Sequence, residues 1–324
     1  MEGYKGNKII ILEMRDLEYI NCNLCGEDNF KIIYSHNEKK IVKCKNCGLF
    51  YRNPRLRENI NREFYSYKYY EEIFSARINI FKNILNRLQK ETVTGTRNLL
   101  DVGCGQGHFL KLAKDLGWQV EGVELAQSAC RFARDRFGIE IKNKDLKGAD
   151  FPEDYFDAIT LLNVLDHLLD PLGTLKEIYR ILKPKGILVI RVRNINFHLF
   201  AYRIFLPFSY LIKNKALLDP FFDHNYWFSR KSTEKIFQID PCVDHNYGFS
   251  EKTTKKILQK EEFRKIKIYN SLLSISNHCK SFKIFNEYLV NIFKRTYFIF
   301  SQLIYLSSFG RHTIGSSLLV WARK

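Results

Sequence analysis

The stretch Leu99–Leu110, LLDVGCGQGHFL, decides the fold. Asn98–Val102 reads as a short strand with its apolar residues together, and HFLKLAKDLG after it carries a helical pattern. Glycines at 103, 105 and 107 fill the turn between them, where they let backbone N–H groups approach a ligand at a helix N-terminus. A second strand, Gln119–Val123, ends in Glu124, about 20 residues after the glycine loop, where a carboxylate accepts hydrogen bonds from both hydroxyls of a ribose. Dinucleotide-binding folds share this arrangement, so the loop alone is ambiguous. The spacing is G-x-G-x-G with Asp101 two residues before the first glycine, which differs from the G-x-G-x-x-G of nicotinamide sites.

Reading onward, strands are expected at Ile139–Lys142, Phe156–Leu162 and Ile187–Val192, with a helix over Pro171–Leu182 and a KPKG loop before the last strand. Alternating strands and helices imply an α/β, doubly wound, mainly parallel sheet covered on both faces. Ligands of such sheets bind beyond the carboxyl ends of the strands, where the glycine loop, Glu124, Asp145 and Asn163 all fall.

LLDVGCGQGHFL, Glu124 and the later block FPEDYFDAITLLNVLDHLLDP together resemble the class I S-adenosylmethionine-dependent methyltransferases over about residues 95–195. The resemblance implies a Rossmann-like domain over 95–324 with S-adenosylmethionine as cofactor. By it, Asp101, Gly103, Gly105 and Gly107 line the methionine end, Glu124 holds the ribose and Asp145 sits by the adenine amine, with Cys104, Leu125, Leu146 and Asn163 completing the pocket. Some relatives carry Glu-x-x-Glu-His where this chain has Asn163-x-x-Asp166-His167, and bind a divalent cation there. One carboxylate, an amide and an imidazole hold a hard cation poorly, so Asp166 and His167 are expected to orient the following helix start and border the cofactor.

Toward the N-terminus, Cys22-x2-Cys25-x18-Cys44-x2-Cys47 has a glycine directly after each pair. Two residues between thiolates let both sulfurs of a tight turn face one ion, and four thiolates close a tetrahedron around Zn2+ with no open position, a structural and not a catalytic site. Residues 1–54 are therefore expected to form a small zinc-ribbon-like module whose folding draws on metal binding. Residues 55–94 follow as a helical linker, with Ile73, Phe74, Ile80, Phe81, Ile84, Leu85 and Leu88 at the 3, 4 spacing of a one-sided helix.

Residues 219–239 and 240–260 match at 13 of 21 positions without a gap, a tandem duplication. Each copy holds Asp-His-x-x-x-Phe-Ser before a helix begun near Ser229 or Ser250, and a strand at Ile266–Tyr269 follows the second. This unit resembles the Glu-His-x-x-x-Phe-[Ser/Thr] segment of the sugar C-methyltransferases, which also place a four-cysteine zinc module ahead of the methyltransferase domain. The resemblance puts the acceptor sugar beside Asp223-His224 or Asp244-His245, the histidine acting as base. The first copy directly continues the chain leaving the sheet and is favoured. Asp in place of Glu, and a shorter chain, leave open whether oxygen, nitrogen or carbon is methylated.

The 324 residues carry a net charge of +17, and residues 195–324 alone account for +11. That basic, aromatic-rich third is expected to form amphipathic helices over Phe197–Leu218 and Phe282–Phe309, capping the sheet, and a closing strand at Ser317–Arg323. Its charge suits a phosphate-bearing sugar acceptor or an anionic membrane surface. The N-terminus lacks a signal-peptide pattern, which points to a cytoplasmic protein, peripheral at most to the inner face of the membrane. An RNA methyltransferase is the rival suggested by charge, although no RNA-binding signature such as an RRM or KH motif is evident. The other rival is a non-catalytic protein that keeps the cofactor site.

Overall fold

The computed structural model describes residues 17–36, 39–57, 67–92, 97–205, 245–271, 296, 299–308 and 313–324. At the N-terminus, β1 (Leu17–Glu18), β2 (Phe30–His36), β3 (Lys39–Cys44), β4 (Phe50–Arg52) and β5 (Arg55–Leu56) are short. β2, β3 and β4 form an antiparallel sheet over buried Val42, Leu49 and Tyr51, while β1 pairs with β5. The helix expected from Arg55 therefore begins later, as α1 (Tyr67–Glu91). Arg55 and Leu56 are claimed by β1, and the Arg55 Nε lies 2.9 Å from Glu18 Oε1. A local helical pattern carries no information about a strand partner so far back in the chain. In α1, Ile80, Phe81, Ile84, Leu85 and Leu88 are buried, as their spacing requires.

The main domain runs β6 (Asn98–Val102), α2 (His108–Asp115), β7 (Gln119–Val123), α3 (Gln127–Phe137), β8 (Phe156–Leu162), α4 (Pro171–Ile181), β9 (Leu182–Arg193) and α5 (Ile195–Phe205), then β10 (Tyr247–Gly248), α6 (Glu251–Lys260), β11 (Arg264–Asn270) and β12 (Ser317–Arg323). Its six strands lie in the order β11-β12-β9-β8-β6-β7. β7, β6, β8 and β9 are parallel, and β12 runs antiparallel to both its neighbours. This is a Rossmann-like, mostly parallel sheet whose central strands are buried through Leu99, Leu100, Ile159, Leu161, Leu188 and Ile190.

Two local expectations change. Ile139–Lys142 forms no strand and adds a single parallel bridge, Val123 to Lys142, at the sheet edge. Ile139 and Ile141 are buried while Glu140 and Lys142 are exposed, so the alternation is present but its ladder stops where Asp145 turns the chain. The KPKG segment lies inside β9, because Leu182 already pairs with Phe156 of β8 directly after α4 ends.

Two helix starts carry side-chain caps. Asp170 caps α4, accepting from the Gly173 N–H at 2.9 Å, with Pro171 in the first turn. Asp166 and His167, expected at this helix start, are thus replaced there by Asp170. Ser250 and Thr253 form a reciprocal capping box on α6. Just before it, β10 pairs with β4, so residues of the second repeat copy extend the cysteine module's sheet. Lys256 and Lys260 of α6 donate to the carbonyls of Cys47 (3.1 Å) and Leu24 (2.7 Å), fastening the module to the main domain. Among the described residues no helix is long and apolar enough to cross a membrane.

Candidate active site

The glycine turn joins the carboxyl ends of β6 and β7. Gly103 has φ +68°, and a Cβ there would stand 2.7 Å from Val164 Cγ2, so only glycine lets the turn lie against the loop after β8. The N–H groups of Gly103 and Cys104 donate to the Val123 carbonyl at 2.9 and 3.2 Å. Gly105 donates to Glu124 Oε2 at 2.9 Å, while Glu124 Oε1 accepts from Leu125 (2.8 Å) and Ala126 (3.0 Å). A carboxylate offers about four acceptor positions, so three are filled by backbone and one is left for a ligand.

Beneath the turn, Asp101 is buried and accepts from Thr160 Oγ1 at 2.6 Å. Burial pushes its carboxyl up to about 7 against the pull of that hydrogen bond, and the nearby Glu124 charge adds to the rise. Cys104 packs against Gly122 of β7. Its Sγ lies 2.7 Å from where a Cβ on Gly122 would be, and burial raises its thiol well above the ordinary range. Leu146 is buried in the core, and Asp145 is exposed with its Oδ1 on the Gly148 N–H at 2.7 Å. Asn143, which carried no signal in the sequence, donates to the carbonyls of Glu124 and Leu125, both at 2.9 Å, and fixes the end of β7.

The loop after β8 links this turn to a second cluster. Asn163, at φ 64°, accepts at Oδ1 from the Arg191 guanidinium, and its Nδ2 is buried without a partner. Val164 touches the glycine turn, and Asp166, only 1% exposed, follows two residues later. The Asp166 carbonyl accepts from the N–H groups of Asn246 (2.8 Å) and Tyr247 (3.1 Å), which draws residues 245–247 over the loop. Asn246 Nδ2 donates to the His167 carbonyl at 2.9 Å, and Arg52 Nε of β4 to the His245 carbonyl at 2.6 Å.

His245 Nε2 thereby comes 3.7 Å from Asp166 Oδ2, and His167 Nε2 comes 3.8 Å from Asp166 Oδ1. Arg193 Nε stands 3.7 Å from Oδ2, and the two imidazole centroids are 4.2 Å apart. Burial pulls the His245 imidazole well below its ordinary value, and the charges of Arg193, His167 and Arg52 lower it further. Of the duplicated Asp-His pairs, His245 is thus brought to Asp166. Asp223, His224 and Asp244 lie outside the described residues. Arg52 and Arg193 were missed from the sequence, where each reads as one more surface cation.

In the N-terminal module, Cys22 Sγ and Cys47 Sγ are 3.4 Å apart, Cys25 Sγ and Cys44 Sγ 3.5 Å, and all four sulfurs lie within 4.8 Å of one another. The Gly26 N–H returns to the Cys22 carbonyl (2.7 Å) and the Gly48 N–H to that of Cys44 (3.1 Å), closing two tight turns whose glycines have φ +80° and +87°. Zn–S bonds of about 2.3 Å imply tetrahedral sulfurs about 3.8 Å apart. The closest pairs of the four thiols fit such an ion after moving apart by a few tenths of an ångström.

A family described as "Methyltransferase domain" matches residues 65–266, more than half of the chain. A ubiquinone biosynthesis O-methyltransferase of Alkalilimnicola ehrlichii is 30% identical over 123 residues, 36% of this chain and 49% of that protein. One from Bradyrhizobium diazoefficiens is 32% identical over 115 residues, 34% of this chain and 45% of that protein. The chain thus spans about half the length of the curated relatives it matches. A solved S-adenosylmethionine-dependent methyltransferase from Archaeoglobus fulgidus superposes with a TM-score of 0.43 at 19% identity, over 79% of this chain and 100% of that one. With the glycine turn, the carboxylate at the end of β7 and the family match in agreement, the chain belongs to the S-adenosylmethionine-dependent methyltransferases.

Proposed function

We propose that the chain transfers the methyl group of S-adenosylmethionine to a hydroxyl of a sugar nucleotide or glycan intermediate. The observation that carries the cofactor half is the Glu124 carboxylate facing the glycine turn, with Gly105 N–H at 2.9 Å and one acceptor position open. In this reading a ribose hydroxyl takes the open position and a second displaces the Gly105 N–H. Asp101, buried behind the turn, meets the cationic methionine end and gives up its proton as that charge arrives. Leu125 and Leu146 border the nucleoside, and Asp145 leaves its local turn to reach the adenine amine.

Val164 joins the two halves of the site, because the same loop lies against the glycine turn and presents Asp166 and His167. An acceptor approaching over His245 lies on that side of the methyl group. The oxygen lone pair forms the C–O bond while the S–C pair returns to sulfur, leaving a neutral thioether. The hydroxyl proton passes to His245, whose imidazolium the Asp166 carboxylate 3.7 Å from Nε2 stabilises. The histidine of the second repeat copy is therefore taken as base in this reading, that of the first lying outside the described residues.

The sugar acceptor is supported by the four-cysteine module and the Asp-His-x-x-x-Phe-Ser segment, and oxygen as acceptor atom by the O-methyl transfer in the names of the similar proteins. Zn2+ in the four-cysteine site is structural in this reading. It holds β4 and hence Arg52 in place. The apolar face Ile299, Phe300, Leu303 and Leu306, exposed on a helical segment of the basic third, is what a lipid-linked acceptor would bring to an anionic membrane. A panel of nucleotide sugars and RNA, read by formation of S-adenosylhomocysteine, tests the acceptor class. Turnover on a nucleotide sugar supports it, and turnover confined to RNA replaces it.

A further inference from the structure

A helical stretch over 299–307 presents its faces in the opposite sense to a water-facing helix. Ile299, Phe300, Leu303 and Leu306 are each 55–68% exposed. At 3.6 residues per turn the four share one arc of about 120°. On the opposite side Ser301 is fully buried, and the contacts that hold the helix are polar. Asn270 Nδ2 of β11 donates to the Ser301 carbonyl at 2.9 Å, and the Tyr305 hydroxyl to the Ile268 carbonyl at 3.3 Å. Asn270 is itself fixed by the Gly315 N–H on its Oδ1 at 2.9 Å. Of the eight large apolar side chains exposed among the described residues, four lie on this one arc, so the exposure is a patch and not scatter. Such a patch marks a surface that is covered in use.

Charge says what covers it. From Thr296 to Gly310 the sequence holds no Lys, Arg, Asp or Glu, while Lys294 and Arg295 stand before it and Arg311 after it. Residues 195–324 carry 20 Lys and Arg against 9 Asp and Glu. An uncharged apolar ridge set between cations complements an anionic lipid surface: the ridge enters the headgroup boundary and the cations meet the headgroup phosphates. A second copy offering the same ridge would bring like charge against like charge. The stretch is far shorter than the roughly 20 apolar residues of a span, so it can lie in such a surface but not cross it.

The helix also stands at the ligand end of the sheet. β12 runs antiparallel to both β9 and β11, so β9 and β11 point the same way, and Asn270 and Ser271 end beside Arg191 and Asn163. Arg191 Nε donates to Ser271 Oγ at 2.9 Å, and its guanidinium to Asn163 Oδ1. From this placement we propose that 299–307 is an interfacial anchor, which lays the ligand-binding end of the sheet against the anionic face of a lipid bilayer. The anchor goes beyond the acceptor reading and holds whichever group is methylated. Where both hold, an acceptor carried on a lipid reaches the site without leaving the membrane surface.

The test is sedimentation of the zinc-loaded full chain with vesicles of phosphatidylcholine alone and of an equal mixture with phosphatidylglycerol. The expected result is binding to the mixed vesicles that weakens at least about tenfold on phosphatidylcholine alone and in the double variant Phe300→Glu, Leu303→Glu, where each glutamate removes apolar area and adds a repelled charge. S-adenosylhomocysteine affinity should be the same in parent and variant, which shows that the variant is folded; a variant that loses it is replaced by Leu306→Glu. A parent chain that stays out of the mixed-vesicle pellet overturns the anchor, as does equal binding by the folded variant. Gel filtration without lipid covers the other occupant: a parent dimer that the variant turns into a monomer assigns the ridge to a second copy and overturns the anchor. Vesicle binding by a parent chain that takes up no S-adenosylhomocysteine supports the anchor and counts against the cofactor reading alone.

Discussion

Arg52 donates from Nε to the His245 carbonyl across 2.6 Å, which ties β4 of the cysteine module to the backbone of the histidine beside Asp166. The Arg52 N–H also reaches the Asn246 carbonyl at 2.9 Å, so the module holds this loop from one side while Asp166 holds it from the other. Removing metal from the four cysteines, or Arg52→Ala, should therefore lower turnover while S-adenosylhomocysteine still binds. A buried hydrogen bond to a charged group is worth about 1.5–3 kcal/mol, enough to release the loop. Parallel turnover and calorimetric assays check the split, and equal loss of both functions would show that the module supports the whole fold.

His245→Ala should reduce turnover by about 10²–10⁴-fold, the usual contribution of a general base, and more than His224→Ala does. Steady-state kinetics of the two single variants and the double variant give the order. A larger loss for His224 assigns the chemistry to the first repeat copy.

The buried Asp101 makes stability depend on pH. Its folded value near 7 lies above the ordinary 3.8, so between them the native state holds a proton that the unfolded chain releases. That contribution is complete below about pH 4 and fades as pH rises through about 7. Urea unfolding at about pH 5 and about pH 8 should show the loss, and Asp101→Asn should flatten it. An unchanged pH dependence in the variant would assign the effect to other groups.

The pattern around β6 and β7 was legible because it is local. Strand, glycines, helix and Glu124 lie within one stretch, and each buries or turns where its residue types require. Edge and long-range features were not. Ile139–Lys142 alternates like a strand yet gains only one bridge, because alternation reports burial and not the supply of a ladder partner. Arg55 and Leu56 fit a helical pattern but were taken by Leu17 and Glu18.

The cluster around Asp166 was half legible. Asp166, His167 and the Asp-His pairs stood out by residue type, but the contact of His245 with Asp166 depends on main-chain hydrogen bonds from Asn246 and Tyr247, which leave no trace in side-chain pattern. Chain continuity favoured the first repeat copy, which lies outside the described residues. The pairing of β10 with β4 is what brings His245 of the second beside Asp166.

The central claim is that a sulfonium nucleoside lies across the ends of β6 and β7 with its ribose on Glu124. Isothermal calorimetry of the zinc-loaded chain with S-adenosylhomocysteine tests it directly. Saturable binding to the parent chain, weakened by about 1.5–3 kcal/mol or roughly 10–150-fold in Glu124→Ala, is the expected result. No binding heat from the parent chain, or equal affinity in the variant, would contradict it.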